Sequence, residues 1–365
     1  MKKQFRPVLD ETVFENGGVR VRAVRTCALC GERGHLLYFD LRDRLFDVPG
    51  QWSLLLCKGC HLVWLDPQPI SEDLPKLYQT YLTHHCEIEP PQPSRFRPKL
   101  TQAVRAVLLG YEQLLPGRSW RWPGRVISLI PPWRDYALAE LMYLQASARG
   151  RLLDVGCGNG AFLARMRTLG WDVQGVEPDP QAAALAAEAY KLPVLIGTLQ
   201  DAGLPDASFD AITMSHVIEH VPDPQLLLKE CCRLLKENGR LVVLTPNITS
   251  LGHRLFRRSW LFLDPPRHLH LFSIKALRRF ARGAGLAIKT LRTTSRASRH
   301  IFICSTDIHR RGRTSFEPYP DTGRLLRFGS WGFWAFEDAL RQVLPGAGEE
   351  LLLVAGRPAA RPVSP

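Results

Sequence analysis

Short apolar runs recur through the second half of the chain, and each ends at a polar or glycine-rich turn. The first, Leu152 to Val155, is followed by alternating glycines, and an apolar pattern of helical period begins at Ala161. Because strands that alternate with helical segments build parallel sheets, this pattern predicts an α/β fold. Further strands are expected at 172–177, 193–196, 208–214, 240–244, 286–291 and 350–355.

The glycine turn after the first run is the clearest candidate for a ligand site. Gly156, Gly158 and Gly160 allow positive φ angles and a close approach of the backbone to a ligand. Glu177 ends the second expected strand, where a carboxylate can accept both ribose hydroxyls of an adenosine. Dinucleotide enzymes carry a similar turn, so the turn alone leaves another nucleotide, or an empty turn, open.

Together these segments resemble class I S-adenosylmethionine (SAM)-dependent methyltransferases. The resemblance implies a Rossmann-like sheet of seven strands, the seventh antiparallel, with SAM as co-substrate. It implies that Asp154 serves the turn and the cofactor's amino group, and that Leu199 covers one face of the adenine. The cofactor-binding residues expected on this basis are Asp154, Gly156, Gly158, Gly160, Glu177, Thr198, Leu199 and Ser215.

Two C-x-x-C pairs near the amino terminus predict a metal site. Their four thiolates can close a tetrahedral zinc site, and a full set of cysteines leaves no place for a catalytic water. The ligands of this structural zinc would be Cys27, Cys30, Cys57 and Cys60, with unliganded or catalytic thiols as the alternative. The segment resembles the zinc ribbon of methyltransferases that act on nucleotide sugars or in polysaccharide and secondary-metabolite pathways. That resemblance implies that Tyr78 or Tyr81 faces the substrate. Alternatively, both rings pack the ribbon against the main domain.

Chemistry is expected in the stretch that follows the fourth strand. If this turn is helical, His216, Glu219 and His220 share one face. A histidine can be the general base, the trio can hold a divalent metal, or Glu219 and His220 can pair to fix the loop. Ubiquinone-pathway O-methyltransferases resemble this stretch but carry a glutamate at the position of His216, which disfavours a hard-cation site.

A later loop resembles the acceptor side of the same zinc-ribbon enzymes. Its Arg267, His268 and His270 can hold an anionic acceptor, supply the base, or bond to carbonyl groups of the loop. The candidate catalytic residues are therefore His216, His220 and His268.

The charge adds candidate partners without choosing among them. A net charge of +13 and a pI near 9.6 suit RNA, anionic lipid or phosphorylated substrates, or else a solvated basic surface. Arginines and tryptophans alternate from Arg118 to Trp133, which fits a cap over the active site, a base-stacking surface or a membrane contact. The amphipathic stretch from Leu325 to Leu344 can dock on the cap, a second subunit or a membrane. No signal-peptide core and no membrane-spanning run is present, so a cytoplasmic protein is expected.

The expected organisation has four parts. A zinc ribbon occupies residues 1–86, a linker and helical cap 87–145, a SAM-binding domain 146–356 with insertions at 248–272 and 293–349, and a tail 357–365. The expected activity is methyl transfer to an O, N or C atom of a small-molecule, sugar or lipid-linked acceptor. An RNA methyltransferase is the second hypothesis, and a zinc-ribbon protein that binds SAM or nucleic acid without catalysis is the third.

Overall fold

A computed structural model of the chain describes residues 9–78, 97–315 and 323–358. The strands in chain order are β1 (Leu9–Asn16), β2 (Val19–Val24), β3 (His35–Leu41), β4 (Trp52–Leu56), β5 (Val63–Asp66), β6 (Gln68–Pro69), β7 (Arg151–Val155), β8 (Asp172–Glu177), β9 (Val194–Ile196), β10 (Phe209–Ser215), β11 (Leu235–Pro246), β12 (His270–Leu271), β13 (Ala287–Thr294) and β14 (Glu350–Gly356).

The α-helices of the described residues are also numbered in chain order. They are α1 (Arg97–Leu109), α2 (Arg121–Ser128), α3 (Pro131–Ala139), α4 (Ala161–Thr168), α5 (Pro180–Tyr190), α6 (Pro224–Leu234), α7 (Leu251–Phe256), α8 (Ile274–Gly283), α9 (Ser298–Arg311) and α10 (Arg324–Val343). A 3₁₀ helix spans Ser71–Tyr78. None of the helices described here is long and apolar enough to cross a membrane.

The central sheet has seven strands in the order β13-β14-β11-β10-β7-β8-β9. β14 runs antiparallel to both of its neighbours, while β11, β10, β7, β8 and β9 pair in parallel. The direction of the chain across the sheet reverses between β7 and β10, and ligands of such sheets bind beyond the carboxyl ends of the strands at that point. This architecture confirms the predicted Rossmann-like α/β sheet.

Hydrophobic side chains cover both faces of the central sheet. On β7, Leu153 lies in one apolar cluster and Leu152 in a second cluster on the opposite face. On β11, Val243 and Leu244 divide in the same way. Because both faces are covered, the parallel strands read as continuous apolar runs in the sequence.

Capping residues start the helices that follow the strands. The side chain of Asp179 accepts bonds from the first turn of α5, and those of Asp223 and Ser273 do the same for α6 and α8. α6 ends at Leu234, and β11 begins at the next residue, Leu235. The register between β10 and β11 shifts there, so Asn238 and Gly239 lie in an irregular part of that strand.

The amino-terminal strands form two small sheets. One has the order β1-β2-β6 and the other the order β12-β5-β4-β3. β12 comes from a loop more than two hundred residues later in the chain, and its His270 pairs with Trp64 of β5. A strand from the candidate acceptor loop therefore completes the sheet of the cysteine-bearing module.

Candidate active site

The glycine turn joins β7 to α4 at the carboxyl edge of the sheet. Gly156 and Gly160 have φ angles of +68° and +78°. A Cβ atom on Gly156 would lie 2.6 Å from Cγ2 of Val217, so this position has no room for a larger residue. The N–H of Gly158 donates a 2.8 Å hydrogen bond to Oε2 of Glu177, which ties the turn to the end of β8.

Two buried carboxyl groups flank this turn. Oδ1 of Asp154 accepts a 2.6 Å hydrogen bond from the hydroxyl of Thr213, and burial raises the pKa of Asp154 to about 7. Oε1 of Glu177 accepts from the N–H of Asp179 at 3.0 Å, and burial raises the pKa of Glu177 as well. Buried acids of this kind suit a ligand that brings a positive charge and hydroxyl groups.

The other expected cofactor residues lie at the same edge of the sheet. Ser215 ends β10, and Thr198 and Leu199 follow β9. The hydroxyl of Thr198 donates to Oδ2 of Asp201 at 2.5 Å, while Leu199 is buried within the apolar core. The residues present therefore fit SAM in position and chemistry, and their roles in binding it stay predictions.

His216 follows β10 in a turn rather than a helix, with φ at +55°. The expected helical face of His216, Glu219 and His220 does not form. Instead, Nδ1 of His216 lies 3.1 Å from Oε1 of Glu219, and Nε2 lies 2.8 Å from Oε1 of Glu350. A carboxylate oxygen accepts these bonds, so both ring nitrogens act as donors.

These two carboxylates hold a charge on His216. Burial alone would lower the pKa of His216, but the hydrogen bonds to Glu219 and Glu350 outweigh it and raise the pKa to about 9. In Glu219 burial is likewise outweighed by the bond to His216, and its pKa falls to about 2. Near neutral pH the His216 ring is thus a cation with no nitrogen left to accept a proton.

His220 and His268 lie side by side, with ring centroids 4.7 Å apart. Nδ1 of His220 lies 3.0 Å from the hydroxyl of Tyr78 and 3.1 Å from the carbonyl of Arg267. Burial and the neighbouring His268 lower the pKa of His220 to about 4, so this ring is neutral.

The tautomer of His268 follows from one contact. Its Nδ1 lies 2.7 Å from the carbonyl oxygen of Phe262, and a carbonyl can only accept. Nδ1 therefore carries the hydrogen, which leaves Nε2 with a lone pair. Oδ2 of Asp264 lies 3.9 Å from this Nε2, where it would stabilise an added proton.

All three histidines line one cavity of about 410 Å³. Its aromatic and apolar wall includes Tyr136 and Phe262, and its charged wall includes Arg296, Glu140 and Glu350. His216, His220 and His268 are therefore brought together at one cavity beside the carboxyl edge of the sheet. Of the candidate residues from the acceptor loop, only His268 faces it.

Neither Arg267 nor His270 lines the cavity. Both terminal nitrogens of Arg267 donate to Asp43 at 2.7 Å, and the fully buried guanidinium also binds Asp264. His270 is buried, its pKa is lowered to about 4 by burial, and its backbone N–H donates to the carbonyl of Glu219. The side chain of Arg267 therefore bonds to carboxylates rather than to carbonyls of the loop, and Nδ1 of His270 has no hydrogen-bond partner among the described residues. Tyr78 contacts His220, and Tyr81 lies outside the described residues.

The four amino-terminal cysteines converge as a zinc site requires. Sγ of Cys27 lies 3.4 Å from that of Cys60, and Sγ of Cys30 lies 3.4 Å from that of Cys57 and 3.8 Å from that of Cys60. Tetrahedral zinc with Zn–S bonds of ~2.3 Å separates its sulfur atoms by ~3.8 Å. The cluster is compatible with a zinc ribbon, and a bound metal would join the turn between β2 and β3 to the turn between β4 and β5.

A second group could hold a metal, and it differs from the expected trio. One ligand atom each from Glu219, His220 and His268 lies within 4.8 Å of the others. His216 is not a member of this group, and both of its nitrogens bond to carboxylates. A divalent metal here would compete with a role for His268 as a base.

Sequence reasoning missed Glu350, Arg296 and Asp43. Glu350 begins β14, and because β14 is antiparallel its first residue lies at the edge where the parallel strands end. A charged residue at the start of the seventh strand was the available signal. Nothing in the pattern near Asp43 indicates its pairing with Arg267.

The strand order and the glycine turn define a class I methyltransferase fold, and the comparisons agree. Residues 130–291 match the family model described as a methyltransferase domain. A ubiquinone biosynthesis O-methyltransferase of Xanthomonas oryzae pv. oryzae strain PXO99A is 34% identical over 140 residues, or 36% of this chain and 57% of that protein. Its namesake in Xanthomonas campestris pv. campestris strain B100 is 32% identical with the same shares.

The chain thus spans little more than half the length of the curated relatives it matches. Among solved structures, a SAM-dependent methyltransferase from Archaeoglobus fulgidus is 19% identical and covers 57% of this chain and 86% of its own, with a TM-score of 0.38. Residues 130–291 thus match a methyltransferase domain, and the strand order of the central sheet is that of the class I fold. Beside that domain the chain carries a four-cysteine cluster compatible with a zinc ribbon.

Proposed function

We propose that this protein transfers a methyl group from SAM to a hydroxyl oxygen of a small molecule held in the histidine-lined cavity. The observation that carries the proposal is the bond from Nδ1 of His268 to the carbonyl of Phe262. This bond leaves Nε2 of His268, which lines the cavity, with a lone pair that can accept a proton. The matched relatives are named O-methyltransferases, which favours oxygen among the possible acceptor atoms.

Asp154, Glu177 and the glycine turn would hold SAM, which supplies an electrophilic methyl group when bound. His268 accepts the proton of the acceptor hydroxyl at Nε2 as the oxygen becomes nucleophilic. Asp264 stabilises the resulting imidazolium from 3.9 Å. General-base catalysis of this kind contributes typically ~10²–10⁴-fold to rate.

His216 acts as a positioning residue in this scheme. Its charged ring joins the turn after β10 to Glu350 of β14, so the wall between cofactor and acceptor is held by two strands of the sheet. Arg296 donates to the same Glu350 and adds a second cation at this wall. The tilted contact between His216 and Phe262, with ring centroids 5.4 Å apart, places the aromatic wall next to it.

The lining indicates the class of acceptor. Tyr136 and Phe262 offer aromatic surface, whereas the charges of His216 and Arg296 are balanced by Glu219 and Glu350. This combination suits a hydroxyl on an aromatic or apolar body.

The test is transfer of labelled methyl from SAM into an extract of small molecules, lipids and RNA. The expected label resists RNase and partitions with small molecules or lipids, and saponification leaves it in place as an ether. Label that disappears with RNase would overturn the proposal in favour of the RNA enzyme. Tight SAM binding without transfer to any fraction would equally overturn it and favour the non-catalytic hypothesis.

A further inference from the structure

The 20-residue helix α10 is fixed in its orientation by the acids on its inner side. Oε1 of Glu337 accepts a 3.0 Å hydrogen bond from the backbone N–H of Glu349. Oδ1 of Asp338 accepts from Nη2 of Arg341 at 2.7 Å and from the hydroxyl of Ser295 at 3.1 Å. Because Glu337 and Asp338 are the only acids of this helix and both are buried, the outer face carries none.

That outer face is strongly apolar. Leu325 is 87% exposed, Phe328 and Val343 are each 74% exposed, and Phe336 is 60% exposed. Their spacing places all four on one side of an α-helix. Arg324 and Arg327 are exposed at the start of the same helix. Large exposed apolar side chains with arginines and no acids are typical of helices that lie in a membrane interface.

A second patch of the same kind lies on α2. Trp122 is 72% exposed and Leu129 just beyond the helix is 77% exposed, with Arg125 exposed between them. Arg121 is exposed too and pairs with Glu112. None of the eight residues of α2 is acidic.

Both helices adjoin the walls of the cavity. α3 follows α2 and contributes Tyr136 to the lining, and its Asp135 accepts from Arg341 of α10 at 3.3 Å. α10 packs on α9, which contributes His300 to the lining. A surface that contacted α10 would therefore lie next to helices that enclose the acceptor.

We propose that the outer face of α10, assisted by the α2 patch, docks on an anionic lipid surface. A net charge of +13 attracts such a surface, and the arginines and exposed aromatic rings match its headgroup layer. A second copy of the chain fits less well, because two α10 helices that face each other would bring like charges close together. The inference concerns binding and does not depend on the identity of the methyl acceptor.

Vesicle flotation tests this docking with the full-length chain. The probes are vesicles of phosphatidylcholine alone and vesicles that also contain phosphatidylglycerol. We expect the protein to float with the anionic vesicles and to be released by high salt, because attraction to charged headgroups is screened by ions. No flotation with either vesicle would overturn the proposal.

Variants locate the contact. Phe328→Glu with Phe336→Glu should reduce binding to anionic vesicles by about tenfold or more, since the buried apolar area is lost and negative charge is added. Arg324→Gln with Arg327→Gln should reduce it by a similar factor. The matched control, Leu226→Glu, alters an exposed leucine on α6 and should bind as the unmodified protein does.

The outcomes separate lipid from protein partners. If the phenylalanine variant fails to fold, as judged by circular dichroism, the arginine variant decides the question. Equal binding by the arginine variant and Leu226→Glu would overturn the assignment to α10. If the unmodified chain does not bind vesicles and sediments as a dimer, and the arginine or phenylalanine variant sediments as a monomer, a second copy covers this face instead.

Discussion

His216 and Glu350 lie 134 positions apart in the sequence, and Nε2 of the histidine is 2.8 Å from Oε1 of the glutamate. The bond joins the turn after β10 to the start of β14, across β11, which lies between these two strands. Glu219 binds the other ring nitrogen, so the imidazolium is held between two buried carboxylates. This pairing stabilises the cavity wall and leaves proton abstraction to another residue.

The pairing predicts a dependence of stability on pH that His216→Gln should remove. The pKa of His216 is raised in the folded protein from an ordinary 6.5 to about 9. Its contribution is therefore complete below the unfolded pKa and is lost as the pH rises through the folded pKa. Denaturant titrations from about pH 6 to about pH 9.5 should show the variant less stable by roughly 1–3 kcal/mol at the acid end, with the gap closing toward the alkaline end.

Two other buried acids also titrate in this range. The quantity to measure is therefore the difference in the free energy of unfolding between the unmodified protein and His216→Gln. The pKa values of Asp154 and Glu349 are each raised to about 7 by burial. Both groups are present in the variant, so their effect cancels in the comparison. A gap that stays constant across the pH range would contradict the assigned charge on His216.

His268→Gln should lower kcat by ~10²–10⁴-fold and leave the Kd for SAM unchanged, because the variant removes a base and no predicted cofactor contact. Single-turnover kinetics and calorimetric SAM binding measure the two effects separately. The matched control is His253→Gln, which changes a histidine that bonds to Tyr38 and does not line the cavity. Equal loss of kcat in both variants would indicate a structural effect and sink the base assignment.

Chelation separates the base from the competing metal site. A divalent ion held by Glu219, His220 and His268 would be removed by a chelator too weak to extract a zinc ion from four cysteines, and activity would return with added magnesium or manganese. Under the base hypothesis, activity survives this treatment. Loss and recovery of activity would assign these three residues to a metal instead.

A structural feature can be predicted from the sequence when adjacent residues encode it. The apolar runs and the glycine turn predict the sheet, because each strand and cap is encoded by adjacent residues. The four cysteines predict their own convergence, since thiolate pairs at this spacing have few other uses. The sequence left helical geometry after β10 as a condition, and the structure excludes it because His216 has a φ angle of +55°. The contact of His216 with Glu350 is long-range and is not encoded by adjacent residues.

The long-range ion pairs lie beyond such reasoning. Arg267 looked equally suited to an acceptor and to loop bonding, and only its pairing with Asp43, 224 positions away, favours the structural role. Glu350 gave a weak signal as a charged residue at the start of an apolar strand. Its partner depends on the antiparallel placement of β14 beside β11, which local propensity does not determine.

Glu177→Gln should weaken SAM binding by roughly 10–100-fold, since a charge-assisted hydrogen bond is worth ~1.5–3 kcal/mol. The carboxylate accepts from Gly158 and Asp179, and one oxygen becomes a donor NH₂ group in the variant. Isothermal titration calorimetry measures the change, with the exposed Glu188→Gln on α5 as the matched control. An unchanged Kd would show that SAM is not held at the end of β8.

The last prediction concerns the cysteine cluster and its indirect effect on the cavity. Cys57→Ser should reduce bound zinc, measured by elemental analysis, from about one ion per chain toward none, because structural sites need their full ligand set. The module that would be loosened pairs its β5 with β12, and Leu65 donates from its N–H to the carbonyl of Leu269, next to His268.

Loss of zinc should therefore lower kcat as well as thermal stability, although among the described residues none of the four cysteines bonds directly to a residue that lines the cavity. Cys232→Ser, which alters a half-buried cysteine on α6 outside the cluster, should retain zinc and turnover. If Cys57→Ser loses its zinc and yet turns over normally with an unchanged KM, the module does not position His268, and the ribbon would then serve a purpose separate from the chemistry of the cavity.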